Sequence, residues 1–224
     1  MAFPGAAARS AAAAPRAVGD AVIVSESDSQ RIAEAIRAAE ARTSGEIYCV
    51  IAHACGDHRL VPIAWATLLA LAMPWPLIHF TSWPAATIYL IQLAVFIAAA
   101  FILSLPVIRF RIVPKRRLHG RAHIVAMQQF LAQGVHLTEK RTGVLIFASV
   151  AERYAEIVAD SGINAKVPPG TWAGAIAAMV SAIKQGRPAD GLVAAIELCG
   201  AQLAQHFPPG ELNPNELPDR VVEI

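Results

Sequence analysis

The chain has 224 residues, of which 55% are hydrophobic and only 16% are charged, and its formal net charge is +2. Because charged residues average about 25% in soluble domains, this composition argues against an ordinary soluble protein and favours a membrane-associated one. The three cysteines include no C-x-x-C pair, which argues against a disulfide framework and favours a reducing compartment.

The N-terminal part of the chain predicts a tail followed by a helix and a strand. Residues 1–24 are rich in alanine and lack the apolar core of a signal peptide, so we expect a disordered tail. Ser25, followed three residues later by Asp28, is typical of a helix start. After a break at Thr43-Ser44-Gly45, the stretch EIYCVIAH predicts a core strand. Residues 25–59 are thus the first part of a folded domain.

An apolar segment, residues 60–108, interrupts this domain and contains no Asp, Glu, Lys or Arg. A membrane-spanning helix needs about 20 apolar residues, so we predict a transmembrane helical hairpin with spans at 61–80 and 85–106. The stretch MPWPLIHFTSWPAA, with Pro74, Pro76 and Pro84 beside Trp75 and Trp83, predicts a turn at the membrane surface. Two alternatives remain: the first span re-enters or lies at the interface, or the two helices form a buried pair in a soluble core.

A basic linker, residues 109–121, follows the hairpin. Both ends of a hairpin lie on one side of the membrane, and basic residues mark that side as cytoplasmic. We therefore expect a multi-pass protein of the inner or plasma membrane with a cytoplasmic domain. The adjoining span makes anionic lipid headgroups the better partner than nucleic acid. The predicted headgroup-binding residues are Arg109, Arg111, Lys115, Arg116 and Arg117.

Residues 122–207 predict the second part of the domain. A helix ending near Gly134 is followed by the strands TGVLIFASV and RYAEIVAD, joined by a tight turn, and the first of these is apolar enough to be central. Two helices are expected at 171–185 and 190–207, and residues 208–224 are expected to be an extended tail. Strands between helices predict an α/β fold, a three-layer α/β/α sandwich interrupted by the hairpin.

Carboxylates are scarce, and three of them lie at or near predicted strand ends: Glu46, Asp57 and Asp160. Oxygen ligands converging from loops suit Mg²⁺ or Ca²⁺, so we predict these three as metal ligands and Arg141 as a residue that binds a substrate phosphate. In the simpler alternative, Asp160 forms an Asx-type turn with the following backbone, Glu46 is a solvated strand start, and Arg141 is a surface residue.

Two histidine-containing patterns are weaker metal candidates. The stretch HACGDH, at residues 53–58, holds ligand types for a transition metal but has no second ligand pair at a recognised spacing. His119 and His123 lie four residues apart on a predicted helix, where a solvated pair is the simpler interpretation. No nucleophile elbow, P-loop, dinucleotide fingerprint or kinase signature is present in the sequence.

The stretches RTSGEIYCV and FLAQGVHLTEKRTGVLIFASVAERYAEIVADSGI, with Trp172 and the terminal HFP at 206–208, resemble the TPM-domain family. This family includes thylakoid-lumen phosphatase-like proteins and many bacterial membrane-anchored proteins. The resemblance implies a small β-sheet between helices, with acid phosphatase activity and divalent-metal binding in some members. Here the membrane segment lies inside the domain, whereas the better-known members have one terminal anchor.

Three functions fit these observations. The first is a membrane-anchored TPM-type domain that acts as a binding or assembly factor for a membrane protein complex. The second is a divalent-metal-dependent phosphatase that acts on phosphate esters at the cytoplasmic membrane face. The third, a small transporter, is disfavoured because His79 is the only ionisable residue of the ion-pathway type in the predicted spans.

Overall fold

The computed structural model describes residues 23–56, 60–105, 108, 113–210 and 214–224. Four strands lie in these parts of the chain: β1 (Glu46–Ala52), β2 (Gly143–Ser149), β3 (Tyr154–Ala159) and β4 (Val221–Glu223). The helices are α1 (Glu26–Glu40), α2 (Leu60–Ala72), α3 (Pro74–Phe80), α4 (Ala85–Ser104), α5 (Lys115–Ala132), α6 (Ser161–Asn164), α7 (Ala173–Lys184) and α8 (Pro188–His206), and a 3₁₀ turn spans Val135–Leu137.

The strands form one mixed sheet in the order β3-β2-β1-β4. β1 runs parallel to β2 from the pair Glu46 and Gly143 to the pair Ala52 and Ser149, and it is also parallel to β4. β3 is antiparallel to β2. Every residue of β1 and β2 is buried, which confirms the expectation that the apolar strand β2 is central.

Helices cover both faces of this sheet. Alternate residues of β1, among them Ile47 and Cys49, share a core with α1, α7 and α8. The intervening residues, such as Tyr48, share a second core with α5, which contributes Ala126 and Phe130. Because successive side chains of a strand point to opposite faces, the fully apolar strand requires helices on both sides. The mixed α/β class is therefore confirmed.

The hairpin consists of α2 and α3 on one side and α4 on the other, and most of its apolar side chains are exposed. Leu60 is 80% exposed and Phe80 is 82% exposed. The two stretches Leu60–Phe80 and Ala85–Ser104, with 21 and 20 residues, are long and apolar enough to cross a membrane. Their exposure separates them from the buried helices of a soluble core.

The chain reverses between the two predicted spans, but the PWP prolines lie before that point. Pro74 and Pro76 lie in the first turn of α3, where a missing backbone N–H is tolerated, so they interrupt the helix only at Met73. The non-helical reversal is at residues 81–84, in the stretch TSWP. The prolines in PWP therefore divide the first arm of the hairpin into two helices and do not form its tip.

The structure also differs from expectation at three other places. α5 begins at Lys115, within the expected linker, and its Leu118 packs into the domain. The expected C-terminal tail forms β4, whose next residue, Ile224, donates its N–H to the carbonyl of Ile51 at 3.0 Å. At the other end of the chain, Val24 is buried, although it falls in the expected tail, of which residues 1–22 lie outside the described part.

Candidate functional site

The polar cluster of Asp160, Arg141 and His136 lies at the end of β3 and is called the Asp160 pocket. Asp160 caps the short helix α6, and its Oδ1 accepts hydrogen bonds from the N–H of Ser161 at 2.6 Å and from the Ser161 hydroxyl at 3.2 Å. Its Oδ2 is buried and has no hydrogen-bond partner in the part of the chain that the structure describes. One oxygen thus makes the Asx-type turn, and the other is buried without a hydrogen bond to a described residue.

Arg141 lies beside this oxygen of Asp160. Its Nη1 is 3.9 Å from Asp160 Oδ2 and donates to the carbonyl of His136 at 2.7 Å. More than half of the Arg141 side chain is exposed, so the guanidinium has donors left for a ligand. The φ of Arg141 is +54°, an uncommon conformation for a residue other than glycine.

A close contact between two loops holds Asp160 and Arg141 together. Gly162 donates its N–H to the carbonyl of Arg141 at 3.1 Å. A Cβ on Gly162 would lie 2.6 Å from that carbonyl oxygen and 2.7 Å from the oxygen of Lys140. Only glycine therefore permits this approach, and the stretch DSG at 160–162 fixes the pocket through its backbone.

His136 is a third member of this pocket, and the sequence analysis did not identify it. Its Nδ1 is buried and, like Asp160 Oδ2, has no hydrogen-bond partner among the described residues. Its carbonyl accepts from Arg141 Nη1, the same atom that lies 3.9 Å from Asp160 Oδ2. No pattern in the sequence marks His136, because its position depends on the 3₁₀ turn that follows Gly134.

Glu46 lies at the same end of the sheet but contacts a different segment. Its Oε2 accepts from the N–H groups of Glu216 and Leu217, each at 3.2 Å, and burial raises the pKa of its carboxyl group. Gly143 lies opposite Glu46 on β2, and the carbonyl of Val135 would be 2.1 Å from a Cβ on Gly143. The 3₁₀ turn thus packs on the strand between Glu46 and the Asp160 pocket.

The predicted three-carboxylate metal site stays a prediction. Asp57 lies outside the described residues. Within the described ranges, no group of three His, Cys, Asp or Glu side chains is close enough to hold a metal ion. Of the two described residues, Asp160 has a carboxylate oxygen without a hydrogen-bond partner, while Glu46 Oε2 accepts from two backbone N–H groups.

A buried glutamate next to Glu46 was also missed. Glu40, the last residue of α1, accepts at Oε1 from the N–H of Ile47 at 2.8 Å. Burial and, to a smaller extent, the negative charges of Glu46 and Asp219 raise the pKa of Glu40 to about 8, although the hydrogen bond from Ile47 lowers it. The sequence does not reveal this cluster, because Asp219 arrives from the C-terminal segment.

At the opposite end of the sheet, Glu152 joins two segments. It accepts from the N–H of Cys55 at 2.9 Å and from the hydroxyl of Ser149. Burial raises the pKa of the Cys55 thiol to about 11, so this thiol stays protonated at neutral pH. His58 and Asp57 of the HACGDH stretch lie outside the described residues.

The histidine pair on α5 faces β3. His123 Nδ1 lies 2.7 Å from Glu156 Oε1, and Glu156 also accepts from the hydroxyl of Tyr154 at 2.9 Å. The ring of His119 lies against that of Tyr154, with centroids 5.0 Å apart. The two histidines therefore make contacts between α5 and β3.

Three of the five predicted headgroup-binding residues are described, and they lie at the start of α5. Lys115, Arg116 and Arg117 are exposed, whereas Arg109 and Arg111 lie outside the described residues. Arg117 lines a cavity of about 280 Å³ together with Leu60 and Trp65 of α2. The start of α5 is therefore next to the start of the hairpin.

These features define the class of the protein. It is a small α/β domain that carries an exposed apolar helical hairpin between strand β1 and helix α5. Residues 107–202 match the family model described as the TPM domain. This match confirms the resemblance to the TPM-domain family over residues 107–202.

Comparison with solved structures supports the fold. The NMR structure of BA42 protein from the psychrophilic bacterium Bizionia argentinensis is similar to this chain, with a TM-score of 0.55 and 23% sequence identity. The similarity covers 89% of this chain and 94% of the other. No match was found among curated proteins.

Proposed function

We propose that this protein is a membrane-anchored TPM domain that acts as a binding or assembly factor for a membrane protein complex. The observation that carries the proposal is the exposed apolar hairpin, in which only Pro62, Ala66 and Ala70 of α2 and Ile88 of α4 are buried. Such a surface is too large and too apolar for water, so it requires lipid or protein around it.

The arrangement of the hairpin supports a cytoplasmic domain at the inner or plasma membrane. Because Arg117 of α5 shares a cavity with Leu60 and Trp65, the chain enters and leaves the hairpin at neighbouring points. Both ends then lie on one side of the bilayer, where Lys115, Arg116 and Arg117 face anionic headgroups. The domain is held within a few nanometres of any membrane partner.

Cysteine accessibility tests the anchor and its orientation. The three native cysteines are free and buried, so they give a low labelling background. We expect Glu34→Cys on α1 and Gln205→Cys on α8 to react from the cytoplasmic side only, and Ser82→Cys at the hairpin reversal to react from the other side. Labelling of all three from one side would refute a spanning hairpin.

The Asp160 pocket is the proposed contact site for the partner. Leu137, which is 71% exposed, lies next to His136 and offers an apolar contact beside the unpartnered polar atoms. A photo-crosslinking residue at Leu137 in native membranes should give a defined adduct that Asp160→Asn weakens. The same residue at Glu34 is the matched control and should give none. Equal adducts at both positions, or none at Leu137, would contradict this site.

A phosphatase is the second candidate function, and the free Oδ2 of Asp160 beside Arg141 favours it. In this proposal Asp160, with Glu46 at the same end of the sheet, binds Mg²⁺ or Ca²⁺, and Arg141 binds the phosphate of the ester. The full-length protein in detergent would be assayed with p-nitrophenyl phosphate, with each ion or with chelator. Asp160→Asn and Arg141→Ala should each abolish the activity, and Asp190→Asn on the surface of α8 should leave it unchanged. This result would establish the phosphatase in place of the binding factor.

A further inference from the structure

The apolar surface of the hairpin has a groove whose lining includes a few polar side chains. A cavity of about 280 Å³ lies between α2 and α4, and its lining includes Thr67 of α2 together with Tyr89, Gln92 and Phe96 of α4. Thr67 is satisfied within its own helix, since its hydroxyl donates to the carbonyl of Ile63 at 2.9 Å. The remaining polar side chains of the groove belong to α4.

Gln92 is the residue of this groove for which an unpaired polar group in the membrane would cost the most free energy. It is the eighth residue of the 20-residue helix α4, about 10 Å along the helix from Ala85, and so it lies within the apolar part of a span. Its amide has two N–H donors and one carbonyl acceptor. Among the described residues it makes no hydrogen bond, and lipid tails offer none.

We propose that two copies of this chain pair in the membrane through the groove between α2 and α4, with the Gln92 amides hydrogen-bonded to each other across a two-fold axis. The amide is self-complementary, because each copy can donate an N–H to the carbonyl of the other. Such amide bonds between helices are a recognised source of association in lipid. This inference rests on the proposed membrane anchor.

The charge distribution of the hairpin is compatible with pairing. The segment from Leu60 to Ile108 contains no Asp, Glu, Lys or Arg, so two hairpins can approach without repulsion inside the bilayer. The basic residues lie beyond it, at the start of α5, where solvent and headgroups screen them. An identical hairpin therefore supplies both the apolar surface and the amide that the groove requires.

Energy transfer between labelled copies of the full-length protein tests the pairing. Glu34→Cys would carry donor or acceptor dye, and the protein would be reconstituted in liposomes of phosphatidylcholine and phosphatidylglycerol at several protein-to-lipid ratios. We expect Gln92→Leu to weaken association about tenfold, as one or two interhelical hydrogen bonds would. Moving the amide to the exposed Leu90, in the double variant Gln92→Leu with Leu90→Gln, should not restore it.

Three results would overturn the pairing while leaving the anchor intact. In the first, wild-type copies do not associate although they resist alkaline extraction from the liposomes. In the second, the Gln92→Leu variant associates as strongly as wild type. In the third, adding Leu90→Gln to Gln92→Leu fully restores the association. Loss of a different membrane protein from native membranes in Gln92→Leu, without loss of self-association, would assign the groove to that partner. Recovery of the protein in the soluble fraction would refute the anchor itself, and the pairing with it.

Discussion

Glu40 provides the sharpest test of the electrostatics of this domain. It is buried at the end of α1, and its carboxyl group accepts from the N–H of Ile47 at 2.8 Å. Burial, with the charges of Glu46 and Asp219, raises its pKa to about 8. In the folded domain Glu40 therefore keeps its proton at neutral pH, whereas in the unfolded chain it ionises near its ordinary pKa of about 4.3.

The direction of the pH effect follows from this difference. Between about pH 4.3 and pH 8 the folded state holds a proton that the unfolded chain has released. The free energy of unfolding therefore falls as the pH rises through this interval, and the contribution of Glu40 becomes constant above about pH 8. From pH 5 to pH 7.5 the loss is about 3 kcal/mol, since each pH unit contributes about 1.4 kcal/mol.

Glu40→Gln should remove this dependence. The amide carbonyl still accepts from Ile47, but glutamine does not titrate. Urea denaturation in one detergent, followed by far-UV circular dichroism, would give the free energy of unfolding at each pH. We expect wild type to lose about 3 kcal/mol more than Glu40→Gln between pH 5 and pH 7.5. Glu34→Gln, an exposed change on the same helix, is the control and should follow wild type.

Parallel pH profiles for wild type and Glu40→Gln would refute the reasoning. That result would mean that Glu40 ionises in the folded domain near its ordinary pKa, and that water reaches the end of α1. A larger pH dependence in the variant than in wild type would also contradict it.

Three further changes test packing in the same denaturation assay. Gly162→Ala should cost about 1–3 kcal/mol, because its methyl group would overlap the carbonyl of Arg141; an unchanged stability would show that this loop contact is loose. Thr43→Val should cost about 1–3 kcal/mol, because the buried Thr43 hydroxyl donates to the carbonyl of Phe207 at 2.6 Å, and a neutral effect would mean that water replaces it. Met179→Ala should cost about 2–5 kcal/mol, since Met179 is fully buried, and a cost below 1 kcal/mol would indicate that the core between α7 and α8 collapses around the cavity.

The elements that the sequence predicted have strong local signals. Ser25 accepts the N–H of Asp28 at 3.1 Å, as its position before an amphipathic run indicates, and α1 starts there. The hairpin of β2 and β3 was found because each strand has a β-rich composition and a short turn joins them. In such segments the residues that decide the structure are neighbours along the chain.

The elements that the sequence missed depend on distant partners. β4 has three residues and no pattern of its own, and its pairing with β1 joins residues about 170 positions apart. Glu40 became a buried acid for the same reason, because the C-terminal segment returns over the start of β1 and brings Asp219 with it. The pairing of Asp160 with Arg141 was anticipated only conditionally, since it requires the loop contact at Gly162.

The parallel pairing of β1 and β2 explains how one domain can hold a membrane hairpin in its middle. A parallel pair needs a connection that crosses from the end of one strand to the start of the next, and α5 supplies that crossing. The chain leaves the domain after β1 to form the hairpin and returns at α5 beside the start of the hairpin, as the cavity shared by Arg117 and Leu60 shows. The hairpin therefore adds an anchor without shifting the register, and all seven residues of β1 still pair with β2. The Asp160 pocket lies at the start of β2, the opposite end of the sheet from the hairpin, so a partner bound there would contact the domain on the side away from its anchor.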